Sequence, residues 1–376
     1  MNKKLFSVVL AVMMMAVCVS GVMAQDAIKI GGTGPLTGGA ALYGSAVANG
    51  AAIAMEEINA LDGLKVDVRY EDDVHDAEKA VNAFNTLLDW GMQVSMSSVT
   101  SKPAEATSEI NMEERVFGMT PSASAPAVTA GKDNVLQMCF TDPAQGTMAA
   151  NFIVDKDMAK KVAVIWKNDD VYSKGIYDTF MAKAEELGLE VVSDTTFADG
   201  NDTDFSVQIA DAQSKGAELV FLPMYYTPAS LILAQADAAG YAPTFFGVDG
   251  MDGILKMEGF NAELAEGVIL LTPFNPQSTD EKIVNFVEKY TKAYGDETLN
   301  QFAADGYDVV WALYEACVKA GVTPDMSAEE INDALIETFA TFTFDGLTGK
   351  NMTWSEGAVS KDPNVVVIQD GVYVDL

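Results

Sequence analysis

The sequence has few of the residues on which covalent catalysis and disulfide frameworks depend. Its 376 residues include one histidine, His75, and three cysteines. No serine elbow and no cysteine–histidine pair accompanies them, so nucleophilic catalysis lacks its usual groups. Cys139 and Cys317 lie far apart in apolar stretches, and they could form one bridge or none. We therefore expect a binding protein rather than an enzyme, with a fold that needs no disulfide.

Motifs for nucleotides and metal ions are also missing. The run Gly31-Gly32-Thr33-Gly34 lacks the third spaced glycine of a dinucleotide fingerprint. The acidic residues from Glu71 to Asp76 could surround a metal ion, although such a run is more typical of a solvated loop. The oxygen-rich run from Asp199 to Asp204 lacks the spacing of a calcium loop, and Asp204 is a candidate N-cap for the next helix. We expect no cofactor and no metal ion.

Basic residues are scarce in this chain. Lysine and arginine number 23 against 55 aspartates and glutamates, a formal net charge of −32. A field of this sign argues against nucleic acids and anionic membrane surfaces as partners. The acidic residues are spread along the whole chain, as on a solvated surface. Any anionic group of a ligand must therefore be held by local hydrogen-bond donors.

Long hydrophobic runs are confined to the amino terminus. Lys3 and Lys4 precede an apolar core of about 15 residues, and Val22-Met23-Ala24 offers a cleavage point. This pattern predicts a secretory signal peptide over residues 1–24 and a periplasmic location. The alternative is a lipoprotein signal that uses Cys18, but Val17 is larger than the residue normally found before such a cysteine. No later stretch is long enough to span a membrane, so no direct membrane insertion is expected.

The remaining chain alternates strand-like and helix-like segments. Its length of about 350 residues suits two domains rather than one. Strand–helix repetition predicts an α/β fold with two doubly wound parallel sheets, and the lack of a loose linker predicts several crossovers at a hinge. A terminal hairpin is predicted from Val365–Ile368 and Gly371–Val374. Capping boxes are predicted at Ser278–Glu281 and Ser327–Glu330.

Small hydroxyl residues follow two of the predicted strands of the first half. Ser98 and Thr100 come after a strand near Gln93–Met96, ahead of a helix that begins near Lys102. Ser122 and Ser124 come after the strand Val116–Met119. In a doubly wound sheet these loops meet at one edge, where helix N-termini favour an anion. The serines could equally be plain N-caps.

One carboxylate, Asp249, follows a strand of the second half. There it could pair with an ammonium group in a cleft, or it could cap the next helix. Hydroxyls for an anion and a carboxylate for a cation together fit the two charged ends of a free amino acid.

The chain resembles the substrate-binding proteins of branched-chain amino acid ABC transporters, the leucine/isoleucine/valine-binding type. The resemblance rests on motifs in order over the region after the signal peptide. These are Gly34-Pro35-Leu36-Thr37-Gly38 with Tyr43-Gly44, Thr120-Pro121-Ser122-Ala123-Ser124-Ala125-Pro126, Asp204-Phe205-Ser206, and Gln235-Ala236-Asp237-Ala238-Ala239-Gly240.

The resemblance implies a role for several residues. Ser98 would bind the ligand carboxylate, Ser122 would offer backbone groups, and Ser124 would place a hydroxyl near both charged ends. Asp249 stands where the family often has a glutamate that pairs with the ammonium group. The pocket walls would be four aromatic residues, which could also be ordinary core: Tyr43, Tyr172, Tyr225 and Phe302.

Two departures from the family pattern concern the pocket. His75 and Ser97 are expected at the places of a disulfide found in well-known members. The polarity of Ser97, with Met96 beside it, puts purely aliphatic selectivity in doubt. Asp305, close to Phe302, is a second candidate partner for an ammonium group or a polar side chain.

The resemblance implies a type I periplasmic binding protein whose lobes are residues 25–143 with 272–355 and residues 144–271 with 356–376. It implies a monomer that captures a free amino acid between the lobes and delivers it to a membrane ABC permease. Two alternatives stay open. One is a ligand-binding sensory module, and the other is the same fold binding a small amide, urea or an aromatic acid.

Overall fold

A computed structural model describes residues 26–376, so the proposed signal peptide and Cys18 lie outside the described residues. The first lobe begins with five strands. They are β1 (Ile28–Gly34), β2 (Val66–Asp72), β3 (Val94–Ser98), β4 (Phe117–Thr120) and β5 (Val135–Gln137). Three helices connect and cover them. They are α1 (Ala41–Ala60), α2 (Ala77–Trp90) and α3 (Ser101–Glu113).

The second lobe follows with the same alternation. Its strands are β6 (Lys161–Lys167), β7 (Glu190–Phe197), β8 (Leu219–Leu222), β9 (Thr244–Gly247) and β10 (Ile269–Thr272). Its helices are α4 (Asp142–Asp155), α5 (Val171–Leu187), α6 (Ser206–Ser214) and α7 (Tyr226–Ala238). Three short 3-10 turns lie between β9 and β10, the first at Asp249–Met251.

The chain then returns to the first lobe before it ends in the second. The returning helices are α8 (Glu281–Tyr294), α9 (Gln301–Ala320) and α10 (Ala328–Phe339). A small hairpin, β11 (Trp354–Ser355) with β12 (Ala358–Val359), lies beside β5. The last elements are β13 (Asn364–Gln369) and β14 (Val372–Asp375), whose antiparallel pairing confirms the predicted terminal hairpin.

Both sheets are wound as the strand–helix alternation predicts. The first has the order β2-β1-β3-β4-β5 and is parallel throughout. The second has the order β14-β13-β10-β9-β8-β6-β7, and only β13 runs opposite to the other strands, antiparallel to both β10 and β14. The chain passes between the lobes three times, before α4, before α8 and before β13. The predicted fold class is therefore confirmed.

Helix starts follow local capping chemistry in most places. Ser327 forms the predicted capping box with Glu330 at the start of α10. The box predicted at Ser278 is wrong, because the N-cap of α8 is Asp280, two residues later, whose side chain accepts from the Lys282 N–H. Asp204 lies one residue before the N-cap of α6, yet its carboxylate accepts the Ser206 N–H at 3.0 Å.

Close packing of α1 on α9 positions the cleft side of the first lobe. A Cβ atom added at Gly50 would lie 1.9 Å from the Ala303 carbonyl oxygen, so the two helices approach too closely for any side chain there. The same holds at Gly306, where an added Cβ would lie 2.4 Å from the Val47 carbonyl oxygen. This contact packs the middle of α1 against the first two turns of α9.

The cysteines of the described region are both free. Cys139 and Cys317 are buried thiols, and burial raises the pKa of each. No helix within residues 26–376 combines the length and the apolarity that a membrane span requires. The fold of residues 26–376 therefore contains neither a disulfide bond nor a membrane-spanning helix.

Candidate ligand-binding site

A small cavity lies between the two lobes, beyond the carboxyl ends of β3, β4, β8 and β9. Its volume is about 10 Å³, close to that of one water molecule. The lining residues come from both lobes: Tyr43, Val99, Thr100, Ser101 and Ser122 with Phe302 from the first, and Tyr172, Tyr225, Asp249 and Gly250 from the second. A free amino acid is much larger, so the lobes must separate to admit one.

The first lobe presents hydroxyl groups at the N-terminus of α3. Thr100 is the N-cap, and Ser101 is the first helical residue. The Thr100 side chain does not cap the helix; its Oγ1 lies 2.9 Å from His75 Nδ1 instead. Ser122 Oγ donates to the Val99 carbonyl at 2.7 Å, which ties the two loops together. A helix N-terminus carries partial positive charge, so this wall suits an anion such as a carboxylate.

Ser98 does not line the cavity. It is the last residue of β3, fully buried, and its Oγ lies 2.5 Å from Thr33 Oγ1 and 3.3 Å from Thr107 Oγ1. Met96 and Ser97 are also fully buried within the first lobe and do not reach the cavity. The physical reason is that β3 ends two residues later than predicted, so Val99, Thr100 and Ser101 form the cavity wall.

Thr100, which the sequence placed in the loop after this strand, lines the cavity, and Ser101 is the hydroxyl residue that sequence reasoning missed. A signal for this wall exists, since a hydroxyl residue just before a helix marks its N-cap. The expected helix start at Lys102 lies one residue beyond the observed start at Ser101. Strand and helix ends assigned from pattern alone carry errors of this size.

The aspartate predicted to pair with an ammonium group is placed at the cavity. Asp249 is 4% exposed, and its Oδ1 accepts a hydrogen bond of 2.5 Å from the Tyr172 hydroxyl. Burial raises the pKa of Asp249 to about 6, against the lowering effect of Tyr172 and Gln145. The alternative, that Asp249 caps the next helix, is wrong because its side chain caps none of the turn that follows. An ammonium ligand beside it would lower this pKa again.

Asp305 is not brought to the cavity. It lies on α9, 2% exposed, and its Oδ1 is 3.1 Å from the Nζ of Lys361, which is equally buried. Burial raises the pKa of Asp305, and the lysine opposes that rise. Asp305 therefore already has a cationic partner from its own chain, which removes the reason for assigning it a ligand.

Aromatic rings close the cavity from both lobes. The ring of Tyr43 lies 4.5 Å from that of Phe302 and 5.6 Å from that of Tyr225, and Tyr225 stacks on Tyr172 at 4.6 Å. The Tyr43 hydroxyl donates to the Gly250 carbonyl and accepts the Tyr226 N–H at 3.1 Å. All four aromatic residues predicted as walls thus lie at the cavity, where they join the lobes.

The single histidine touches both lobes. The side chain of His75 forms a hydrogen bond with Thr100, not with Ser97. Its ring packs edge-on against the ring of Tyr225, with 5.3 Å between the ring centres. Its backbone φ is 60°, and its N–H donates to Asp73 Oδ1 at 2.9 Å. Burial lowers the pKa of His75 to about 4, and the positive charges of Lys167 and Lys102 lower it further. The ring is therefore neutral in this closed arrangement.

Ser124 lies behind the cavity rather than in its wall. It is fully buried, and its hydroxyl faces Asp142 without reaching hydrogen-bond geometry. Gln145 was not expected from the sequence, yet its Oε1 accepts the Asp249 N–H at 3.1 Å. Nothing in the local pattern around Gln145 marks it, because its partner is 104 residues away.

Comparison with known proteins agrees with this architecture. Residues 27–371 match the family model described as Periplasmic binding protein. The leucine-, isoleucine-, valine-, threonine- and alanine-binding protein of Pseudomonas aeruginosa is 28% identical over 321 residues, which cover 84% of this chain and 85% of that protein.

Two solved structures are similar over nearly their full length. The leucine-binding protein LivK of Thermotoga maritima has a TM-score of 0.83 and 30% identity, with 93% of this chain and 97% of that chain covered. LivJ of Streptococcus pneumoniae, the substrate-binding protein of a branched-chain amino acid transporter, was solved in complex with isoleucine. It has a TM-score of 0.82 and 28% identity, with 93% of this chain and all of that chain (100%) covered. The chain belongs to the periplasmic binding protein family, among its branched-chain amino acid-binding members.

Proposed function

We propose that this chain is an extracytoplasmic solute-binding protein that captures a free amino acid between its lobes and delivers it to an ABC permease. The observation that carries the proposal is the composition of the cavity. A helix N-terminus with hydroxyl groups faces a buried carboxylate across a span closed by aromatic rings. This arrangement offers one partner for each charged end of an amino acid.

The ligand carboxylate would bind at the start of α3, through Ser101, Thr100 and the loop of Ser122. The ammonium group would bind Asp249, whose burial makes an unpaired charge costly and a paired one favourable. The aromatic walls would surround the side chain. Relatives named for leucine, isoleucine, valine, threonine and alanine support this ligand class.

Binding would couple to hinge closure, because the residues that would hold the ligand come from both lobes. The ligand shifts the equilibrium only as far as it favours the closed form. The lobe boundaries given from the sequence, the signal peptide, a periplasmic location and a monomeric state belong to the same proposal. So does the absence of catalysis, which the names of the relatives as binding proteins support.

A thermal-shift screen of refolded, ligand-free protein tests the proposal. The ligands are the common L-amino acids, their D-forms and their amides. A ligand that binds only the native state must raise the melting temperature. We expect stabilisation by a few L-amino acids, lost with the D-forms and the amides. No response to any amino acid would remove the proposed ligand class and turn the search to amides, urea and aromatic acids.

Ligand affinity should fall in acid because of His75. Its pKa of about 4 in the closed form lies below its ordinary value, so protonation opposes closure and affinity is full only above pH 6.5. The loss grows as the pH falls from 6.5 to 4, reaching roughly 30-fold at pH 5 if opening restores an ordinary pKa. The charged groups that act on the His75 ring are Lys167 on β6, Lys102 on α3, Asp199 after β7, and Asp76, the next residue in the chain.

The measurement is the dissociation constant by calorimetry at pH 5 to 8. The matched control is His75→Asn, which tolerates the positive φ and keeps a polar atom near Thr100. We expect this variant to lose the part of the decline that His75 causes and to keep a smaller part from Asp249, because protonation of this carboxylate near pH 6 also removes the partner of the ammonium group. Identical pH profiles for the two proteins would contradict the assignment to His75.

A further inference from the structure

A second pocket lies on the helical face of the first lobe, between α8 and α9. Its volume is about 370 Å³, within the range of about 300–1,000 Å³ that small-molecule sites occupy. The last turn of α1 and residues 344–347 complete its walls. It shares no lining residue with the cavity between the lobes. This aromatic pocket is therefore separate from the proposed amino acid site.

The floor of the aromatic pocket is made of tilted rings. Tyr307, Trp311 and Glu315 follow each other at intervals of four residues on α9, so they lie along one face of that helix. The ring centre of Phe286 on α8 lies 5.0 Å from that of Tyr307, and Tyr307 lies 6.2 Å from Trp311. The ring planes meet at 61° and 49°, so the rings form a concave surface. The faces of such rings carry partial negative charge and attract cations.

The walls of the aromatic pocket are fixed to α9 by hydrogen bonds. Glu57 on α1 accepts from the Tyr307 hydroxyl at 2.6 Å and pairs with Lys289 on α8. Asp308 on α9 accepts the Leu347 N–H at 2.8 Å. Glu57, Lys289 and Asp308 thus have partners within the protein, and the pocket is preformed.

The remaining charges leave an excess of negative charge at the pocket. Its lining has four acidic residues and two lysines. The Nζ of Lys282 donates to the Asp345 carbonyl at 2.9 Å. The Glu315 carboxylate has no hydrogen bond or close ion pair within residues 26–376. Partial burial raises its pKa, and the charge of Lys282 opposes that rise. The net charge of −32 also concentrates cations around the protein.

We propose that the aromatic pocket binds a small organic cation, an ammonium group carried on an apolar body. The ammonium group would lie against the faces of Tyr307 and Trp311, within reach of Glu315. The apolar body would pack on Phe286 and Phe344, which also line the pocket. The proposal does not depend on amino acid capture, because the two sites share no residue.

A titration of the full mature chain with benzyltrimethylammonium tests the proposal. This probe is a permanent cation without a carboxylate, and the broadening of its NMR lines measures millimolar affinities. We expect a dissociation constant of about 1 mM or lower, which is ordinary for a ligand of about ten non-hydrogen atoms. Benzyl alcohol, which has the ring but no charge, should bind at least 10-fold more weakly. Displacement of the probe by an excess of L-leucine would place it in the cleft and overturn the proposal.

Two variants locate the bound probe. Glu315→Gln keeps the size of the side chain but removes its charge, and it should weaken binding of the probe at least 5-fold. Trp311→Leu keeps an apolar side chain but removes the aromatic face, and we expect a loss of similar size. Neither variant should change the affinity for L-leucine, because neither residue lines the cavity between the lobes.

The matched control is Glu288→Gln. Glu288 is an exposed acid on α8 that does not line the aromatic pocket, so this variant removes the same unit of charge outside the site. It should bind the probe like the wild type. Equal affinities in Glu315→Gln and Glu288→Gln would contradict the site. A wild type that binds L-leucine but not benzyltrimethylammonium would overturn this proposal and leave the proposed function intact.

Discussion

Replacing Asp249 by alanine is expected to weaken amino acid binding by about 100-fold or more. The variant leaves the ligand's ammonium group buried without its carboxylate, and breaking a buried charge pair costs about 3–5 kcal/mol. Each 1.4 kcal/mol corresponds to a factor of ten in the dissociation constant. The Tyr172 hydroxyl also loses its acceptor, which adds to the loss. Calorimetry with the best ligand of the screen measures the effect.

Two further variants separate charge from packing at this position. Tyr172→Phe removes the hydrogen bond to Asp249 but keeps the charge and the ring that stacks on Tyr225. It should cost much less than Asp249→Ala. Asp249→Asn keeps the size of the side chain and should lose nearly as much as the alanine variant. Unchanged affinity in Asp249→Ala would take Asp249 out of the site.

Replacing Lys361 by methionine is expected to destabilise the fold by about 3–5 kcal/mol. The lysine side chain is 3% exposed, and its Nζ contacts Asp305 Oδ1 at 3.1 Å and Thr348 Oγ1 at 2.7 Å. Methionine fills the same space but leaves the buried Asp305 without its cation. Because Lys361 lies on the third crossover, the pair also fixes this segment against α9. The melting temperature should fall by roughly 5 °C.

Lys350→Met is the matched control for this prediction. Lys350 pairs with Asp280 at 2.6 Å, but its side chain is 69% exposed. Exposed pairs contribute about 0–1 kcal/mol because water screens them, so this variant should melt close to the wild type. Equal decreases of the melting temperature in the two lysine variants would show that the buried pair stabilises the fold no more than the exposed pair does. Neither variant should change ligand affinity much, because neither lysine lines the cavity.

The predictions from sequence failed at one loop for a definable reason. Ser97, Ser98, Thr100 and Ser101 are all small hydroxyl residues, and any of them could follow a strand. Alternation cannot fix the last residue of a strand to better than a few positions. A shift of two or three residues decides which hydroxyl faces the cavity and which is buried in the lobe. The observed end of β3 at Ser98 therefore moved the cavity wall to Thr100 and Ser101.

Local patterns were sufficient for the class of fold and for part of the site. Segments with the period of a strand alternate with segments that have the period of a helix. Such an alternation predicts a doubly wound parallel fold, because helices on both sides then bury both faces of each sheet. Asp249 and Tyr225 follow strands and come to the cleft, because carboxyl ends of parallel strands share one edge. These features depend on short-range geometry, which the sequence carries directly.

Only the tertiary structure decided which charges meet. The pair of Asp305 with Lys361 joins residues 56 positions apart, and the contact of Gln145 with Asp249 joins residues 104 apart. The same holds for His75 against Tyr225, which lie on different lobes. Such contacts depend on how whole lobes and crossovers pack, and no local periodicity encodes that packing. The sequence by itself determined a two-lobed α/β fold of the amino acid-binding type, whereas the packing determined which carboxylates lie at the cavity and which are paired elsewhere.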